Sequence, residues 1–390
     1  MRFSLGDWLR ASPFYHGLKC LSGGSLSRLV RRAGRVRRLA GEMVAASAKP
    51  GLPLRLQIEI TDVCNLGCRM CAREFLSDMN TGSLATDRFV TLVDAVEPYY
   101  VTLNGLGEPL LDRDVFVKLA HLHARGVMTA MPTNGTVLRQ QRLEQLARYM
   151  PNVLTFSLDG ARAESYEAIR LRGNFSKIIQ NYRVLAERFR RGETRPGSII
   201  RALTVLQRDN LDDYRSMYQL LREMGLLRQY ALVPLFDFSP DPLAAPHPHL
   251  PTPEALASFW QRIDRDIEAA TCAEEREFYR RWRDTAAGWQ RQSGTDQTVG
   301  RAAAAPCIVP WYSAYIDAKG RVLPCCYLVN TDHVMGRLDE KSFPEIWHGA
   351  TYQTFRRRLA WERAALPGCA TCPRNDTGLL RLLRRLRLFL

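Results

Sequence analysis

Between residues 54 and 236, apolar positions recur with two different periods. Short runs rich in β-branched residues, or alternating with polar ones, are LRLQIEI (54–60), YVTLN (100–104), VMTAMP (127–132), NVLTFSL (152–158), SIIRALTVL (198–206) and YALVPLF (230–236). Such runs predict strands. The period lengthens to that of an amphipathic helix in DRFVTLVDAVE (87–97), RDVFVKLAHLHARG (113–126), QRLEQLARYM (141–150), FSKIIQNYRVLAERFR (175–190) and DDYRSMYQLLREMG (212–225). Strands alternating with helices build parallel βαβ units. Six of them predict an α/β fold, a partial (β/α)6 barrel of the TIM type, whose functional groups gather at the carboxyl ends of the strands.

The flanks read differently. Residues 1–50 are helical and basic, and Pro50, Gly51 and Pro53 end that pattern before the core at 51–236. DFSPDPLAAPHPHLPT (237–252) is a proline-rich connector, followed by helical sequence and a second linker, so that 237–305 forms one connecting unit. A small cysteine-containing α+β module covers 306–375, and a basic amphipathic tail covers 376–390.

The net charge is +15, but residues 1–50 carry +8 of it and residues 373–390 carry +4. The body is therefore close to neutral, which argues against a nucleic-acid partner despite the basic composition. No apolar stretch has the length of a signal h-region or a membrane span, so a cytoplasmic protein with reduced thiols is expected. In the tail, leucines at 379, 383, 386 and 390 share one face and Arg381, Arg384 and Arg385 another. Such a helix either packs on the barrel with its arginines in water or touches an anionic membrane surface peripherally.

Ten cysteines in a reducing compartment point to metal or redox chemistry. Three of them, Cys64, Cys68 and Cys71, lie in TDVCNLGCRMC (61–71), just past the first predicted strand. A [4Fe–4S] cube normally takes four thiolates, so three leave one iron open to a small molecule. A zinc loop is the alternative. The CNLGCRMC stretch at this place resembles the signature of the radical S-adenosylmethionine (SAM) enzymes. The resemblance implies a [4Fe–4S] cluster whose open iron chelates SAM. It also implies reductive cleavage to a 5′-deoxyadenosyl radical, hydrogen abstraction from a C–H bond, and a reducing partner such as flavodoxin or ferredoxin.

Three further segments are similar to that family's SAM contacts. NGLGEPLL (104–111) matches its Gly-Glu-Pro motif at Gly107, Glu108 and Pro109, with Gly105-Leu106-Gly107 replacing the usual glycine pair. PTNG (132–135) brings Thr133 and Asn134 near the cofactor, and SLDG (157–160) brings Ser157 and Asp159 toward its ribose and carboxylate. The bland reading of both is turn chemistry. Arg170 and Arg172, in YEAIRLRGNF (166–175), read as an exposed helix face, with contact to an anionic group as the alternative.

The C-terminal module carries Cys307 and Cys325 in a Cys-x12-Gly-x4-Cys pattern, with Cys369 and Cys372 further on. This is similar to the hairpin of SPASM and Twitch auxiliary domains, as are Gly336, the EIW at 345–347 and Arg357. The resemblance implies one auxiliary [4Fe–4S] cluster held by those four cysteines in an abbreviated, Twitch-like module. A four-cysteine zinc site is the alternative. Cys20, Cys272 and Cys326 are spare. Each reads as a small hydrophobe, with Cys326 and Cys272 as candidate hydrogen-atom donors to a substrate radical.

Three functions compete. The first is radical SAM oxidation or epimerisation of a small molecule such as a sugar, aminocyclitol or lipid-linked intermediate. The second is maturation of a ribosomally made peptide. The third is a non-catalytic iron–sulfur or RNA-binding protein, against which the intact cysteine and Gly-Glu-Pro motifs and the near-neutral body argue.

Overall fold

The computed structural model describes residues 26–76, 79–236, 247–293, 306–370, 372, 374 and 376–381. Cys20, most of the proline-rich connector, the second linker and the end of the tail lie outside the described residues.

All six predicted strands form. They are β1 (Arg55–Ile58), β3 (Tyr100–Leu103), β4 (Met128–Thr133), β5 (Val153–Ser157), β7 (Ile199–Leu206) and β8 (Tyr230–Pro234), with two-residue strands β2 (Gly67–Cys68) and β6 (Arg170–Leu171) between them. The C-terminal module adds β9 (Ser313–Ile316), β10 (Arg321–Leu323) and β11 (Gly336–Arg337). The main sheet runs β11-β10-β9-β1-β3-β4-β5-β7-β8, and β2 pairs with β6 apart from it. The core strands are parallel neighbours. No pairing joins β8 to β11 among the described residues, so the barrel is partial and open.

The helices are α1 (Leu26–Val44), α2 (Thr86–Val96), α3 (Val115–Ala124), α4 (Gln140–Arg148), α5 (Ala163–Ile169), α6 (Phe175–Arg190), α7 (Tyr214–Glu223), α8 (Pro253–Ala269), α9 (Ala273–Ser293), α10 (Val309–Tyr312), α11 (Phe343–Trp347) and α12 (Ala350–Trp361). Their boundaries follow local chemistry. Asn174 caps α6 by accepting from Lys177 N, and Thr252 caps α8 by accepting from Ala255 N ahead of Pro253.

One face of the sheet is apolar. Leu56, Ile58, Val101, Leu103, Leu154 and Phe156 are fully buried against the helices, each contributing about 1.5–3 kcal/mol. Phe156 stacks on Tyr182 of α6 with ring centres 4.0 Å apart. The alternate positions turn to the interior of the barrel, and register pairs place Ser313, Arg55 and Tyr100 in one row and Tyr315, Gln57 and Thr102 in the next. That interior face is polar.

The module is not a separate body. Strand β9 pairs in parallel with β1, from Arg55↔Ser313 to Ile58↔Ile316, and extends the core sheet. The chain before β1 is clamped by the same module. Trp311 Nε1 donates to Ser47 O at 2.7 Å and Trp347 Nε1 to Gly51 O at 3.0 Å. Arg35 of α1 donates to the carbonyls of Val96 and Glu97 at the end of α2, both at 2.9 Å, where the helix dipole favours a cation. Part of the N-terminal basic charge is thereby used inside the fold.

Within the module, Gly336 leaves no room for a Cβ, which would stand 2.9 Å from Ile346, and the EIW turn starts from a Ser342–Glu345 capping box. Arg357, however, is exposed. Its neighbour Arg356 is fully buried, with the guanidinium 4.1 Å from the Trp347 ring and 4.0 Å from the Tyr352 ring. Arg356 donates to the carbonyls of Pro310, Trp347 and Ala48. Helical phase, which turns one residue in and the next out, makes Arg356 the structural arginine.

Candidate functional site

The loop from β1 to residue 76 carries Cys64, Cys68 and Cys71, all half-buried. It is braced from several sides. Cys68 sits on β2, whose partner β6 supplies Arg170 opposite it. Cys71 N donates to Cys68 O at 3.0 Å, and Cys64 N donates to Asn80 Oδ1 at 3.1 Å. Asp62, buried, accepts from Thr81 N at 3.1 Å and Gly82 N at 2.9 Å. Arg73 reaches Asp62 O, Leu106 O and Asn80 Oδ1 and so ties the loop to the end of β3.

The Gly-Glu-Pro segment packs against the start of this loop. A Cβ on Gly107 would stand 2.1 Å from Thr61 O, so only glycine lets the two backbones meet. Gly105 is equally constrained, because a Cβ there would meet the Glu59 side chain at 2.4 Å. Pro109 is buried and opens a short 3-10 turn that Glu108 caps. The carboxylate of buried Glu108 accepts from Leu110 N at 3.2 Å, Thr133 Oγ1 at 2.9 Å and Asn134 N at 2.7 Å. Burial raises its pKa and these donors oppose that rise.

The predicted SAM contacts therefore divide. Thr133 is buried with its hydroxyl engaged by Glu108 and Gly135 N. Asp159 is fully buried, accepting from Arg170 Nε and Val205 N, both at 2.7 Å. Both support the site from behind. Asn134 instead lies in it, with Nδ2 4.0 Å from Cys64 Sγ and 3.1 Å from Asn65 Oδ1. Ser157 ends β5 on the interior face and is half-buried.

The expectation of an exposed Arg170 is overturned. Helix α5 stops at Ile169, and Arg170 turns inward on β6, buried, with Nη1 3.7 Å from Cys68 Sγ. Arg172 remains exposed, at φ +69°. The helical reading missed that the helix ends before both arginines.

In the C-terminal module, Cys307, Cys325, Cys369 and Cys372 line one small apolar pocket with Phe355 and Leu359. Long-range ties close it. Ile308 N donates to Asp376 Oδ2 at 3.0 Å, Asp376 N to Pro306 O at 2.9 Å, and Arg363 Nη2 to Cys372 O at 2.7 Å. Asp376, read as the first residue of the tail, is tied into the module beside Cys307 through these bonds. Cys326, next in sequence to the pocket, points instead to the barrel interior near Gln57 and Arg55. Cys272 lies exposed in the outer helical layer with its sulfur 3.6 Å from Tyr218 OH.

The donor sets suit iron–sulfur cubes. Each set consists of cysteine thiols alone, three in the first and four in the second, and thiolates are the ligands such cubes take. Burial pushes the Cys68 and Cys369 thiols up to about 12 and Cys307 up to about 11. Thiolates in such places need an electropositive partner within the pocket.

Comparison with known proteins agrees. Residues 58–221 match the model of the radical SAM superfamily, and residues 307–373 match SPASM, an iron–sulfur cluster-binding domain. The AdoMet-dependent heme synthase of Methanosarcina barkeri is 26% identical over 328 residues, 81% of this chain and 86% of that protein. The mycofactocin maturase MftC of Mycobacterium tuberculosis is 31% identical over 137 residues, 34% of each chain. The structure of Streptococcus suis SuiB bound to the precursor peptide SuiA superposes with a TM-score of 0.57 at 14% identity, covering 97% of this chain and 84% of that one. The two matched domains bring with them a [4Fe–4S] cluster, SAM and auxiliary iron–sulfur binding. No helix among the described residues is long and apolar enough to cross a membrane. Sheet, cysteine loop and C-terminal module together identify the chain as a member of the radical SAM superfamily with a C-terminal SPASM domain.

Proposed function

We propose that this chain is a radical SAM enzyme that abstracts hydrogen from a ribosomally made peptide. The observation that carries the radical chemistry is the three-thiol loop at the carboxyl end of β1, with its shell of Asn134, Arg170 and the Glu108-held turn. In this reading Cys64, Cys68 and Cys71 hold the open cluster, and Cys307, Cys325, Cys369 and Cys372 hold one auxiliary cluster. When bound, the cluster and SAM together supply a 5′-deoxyadenosyl radical.

The chain's own residues set the stage for that chemistry. Gly107 lets the turn at 105–109 approach the cysteine loop, and Glu108 fixes the backbone at Asn134 beside Cys64. Ser157, whose hydroxyl has no partner among the described residues, is left for the cofactor. Arg170 steadies the thiolate charge at Cys68 with a charge-assisted contact. The polar barrel interior receives the substrate between the two cysteine sites.

Support for a peptide comes from the similarity to the mycofactocin maturases over about a third of this chain, and the sugar, aminocyclitol or lipid-linked substrates have no comparable support. A second reading, a reaction of the heme synthase kind, is favoured by a match that covers 81% of this chain. The test is anaerobic incubation of iron-reconstituted protein with SAM and dithionite, adding short peptides encoded beside its gene. 5′-Deoxyadenosine and a changed peptide mass are expected. No 5′-deoxyadenosine under any condition would overturn the radical reading, and 5′-deoxyadenosine without peptide change would shift weight to the heme reading.

A further inference from the structure

The buried arginines of the described residues are each held by several acceptors. Arg170 pairs with Asp159, Arg356 lies in a cage of carbonyls and rings, and Arg363 donates to the carbonyls of Cys372 and Arg374. Two half-buried arginines on the interior face of the barrel have fewer acceptors. The side chain of Arg55 on β1 makes no hydrogen bond among the described residues, its Nε is buried, and its guanidinium stands 5.7 Å from the ring of Tyr100, its register partner on β3. Arg201 on β7 reaches the same face, where its hydrogen bonds go to the neutral hydroxyl of Thr155 at 3.0 and 3.2 Å. Register places it there: Thr102 pairs with Ala130, Ala130 with Val153, and Val153 with Ile199, two residues before Arg201. Burial lowers the pKa of Arg201, and the Tyr100 phenol is the group that opposes this.

The surrounding interior has further unmet polarity. Thr102 Oγ1 and Asn104 Oδ1 are buried without hydrogen-bond partners. An unpaired cation taken from water costs several kcal/mol, and each orphaned polar atom costs about 1–3 kcal/mol. Among the described residues neither guanidinium pairs with a carboxylate, and both stay open to a ligand of opposite charge inside the barrel. A guanidinium fork matches the oxygens of a carboxylate or phosphate.

We propose that Arg55 and Arg201, with Tyr100 between them, form an anion subsite inside the barrel that holds an oxyanion of the substrate. The proposal rests on the reading of the interior as substrate space. It does not depend on whether the substrate is a peptide.

The test is calorimetric titration of the reconstituted, SAM-loaded enzyme. The probes are succinate, inorganic phosphate and neutral succinamide, and the blocked peptides Ac-Gly-Glu-Gly-NH2 and Ac-Gly-Gln-Gly-NH2. Succinate or phosphate should bind about tenfold tighter than succinamide, and the tighter of the two names the oxyanion. R55Q and R201Q should each remove that preference, and R55K and R201K should keep most of it. Equal binding of succinate, phosphate and succinamide to the wild type overturns the subsite, and this arm stands even if the glutamine variants fail to fold. A preference that survives in folded R55Q and R201Q overturns it too. If succinate is preferred but neither peptide binds, the subsite holds and the peptide reading falls.

Discussion

The guanidinium of Arg170 stands 3.7 Å from the sulfur of Cys68, on the strand that pairs with it, and is held there by Asp159. The Arg170–Asp159 pair is buried, so removing Arg170 leaves a charge without compensation. Arg170→Gln should lower stability by about 3 kcal/mol or more in denaturant titration and reduce the iron retained by the cysteine loop. Arg172→Gln, exposed two residues away, should do neither. Equal behaviour of the two variants would remove the role given to Arg170.

The two cysteine sets predict separable iron. Two cubes give about eight irons per chain. Cys68→Ala should lose about four of them and all 5′-deoxyadenosine formation. Cys325→Ala should lose about four as well while SAM cleavage persists. Iron assay with electron paramagnetic resonance of the reduced proteins checks both. A Cys325→Ala protein with its full iron content would show that the pocket at Cys307, Cys369 and Cys372 holds no cluster.

Glu59 predicts a pH dependence of stability. It lies buried at the end of β1, accepting from Leu106 N and, at 3.2 Å, from Ala318 N of the module. Burial raises its pKa from 4.5 to about 7. A carboxyl whose pKa is higher in the folded state favours folding in its neutral form. Its contribution is fully present below about pH 4.5 and is lost as the pH rises through about 7. The change amounts to about 3 kcal/mol. Glu59→Gln should flatten the slope of unfolding free energy against pH between these values, and an unchanged slope would exclude Glu59 as its source.

Arg356 and Arg357 make a matched pair of substitutions. Arg356→Met strands three carbonyls and empties the space between two rings, and should cost about 3 kcal/mol in thermal or chemical unfolding. Arg357→Met, exposed on α12, should change stability by less than about 0.5 kcal/mol.

Much of this was legible in the sequence, for local reasons. Each core strand and helix lies within a few residues of its predicted span, because period and chain punctuation are local signals. The cysteine spacings, Gly107 and Glu108 stood out because tight backbone approach and ligation tolerate few residue types. What escaped notice depended on partners distant in the chain. Arg170 looked helical until β2 offered β6 an edge. Gly105 had no evident purpose until Glu59 was seen against it. Thr133 and Asp159 read as cofactor contacts, but the structure turns their polar atoms toward Glu108 and Arg170. The parallel pairing of β9 with β1 joins segments more than 250 residues apart, with no local signal at either end.

That pairing makes the first core strand an interior strand by courtesy of the last domain. A chain cut after residue 305 would bare the β1 backbone edge from Arg55 to Ile58 and strip Ser47 and Gly51 of their tryptophan clamps. An unpaired apolar edge invites pairing with other chains. The C-terminal module thus also serves the core as its guard against self-association, quite apart from any electron it carries.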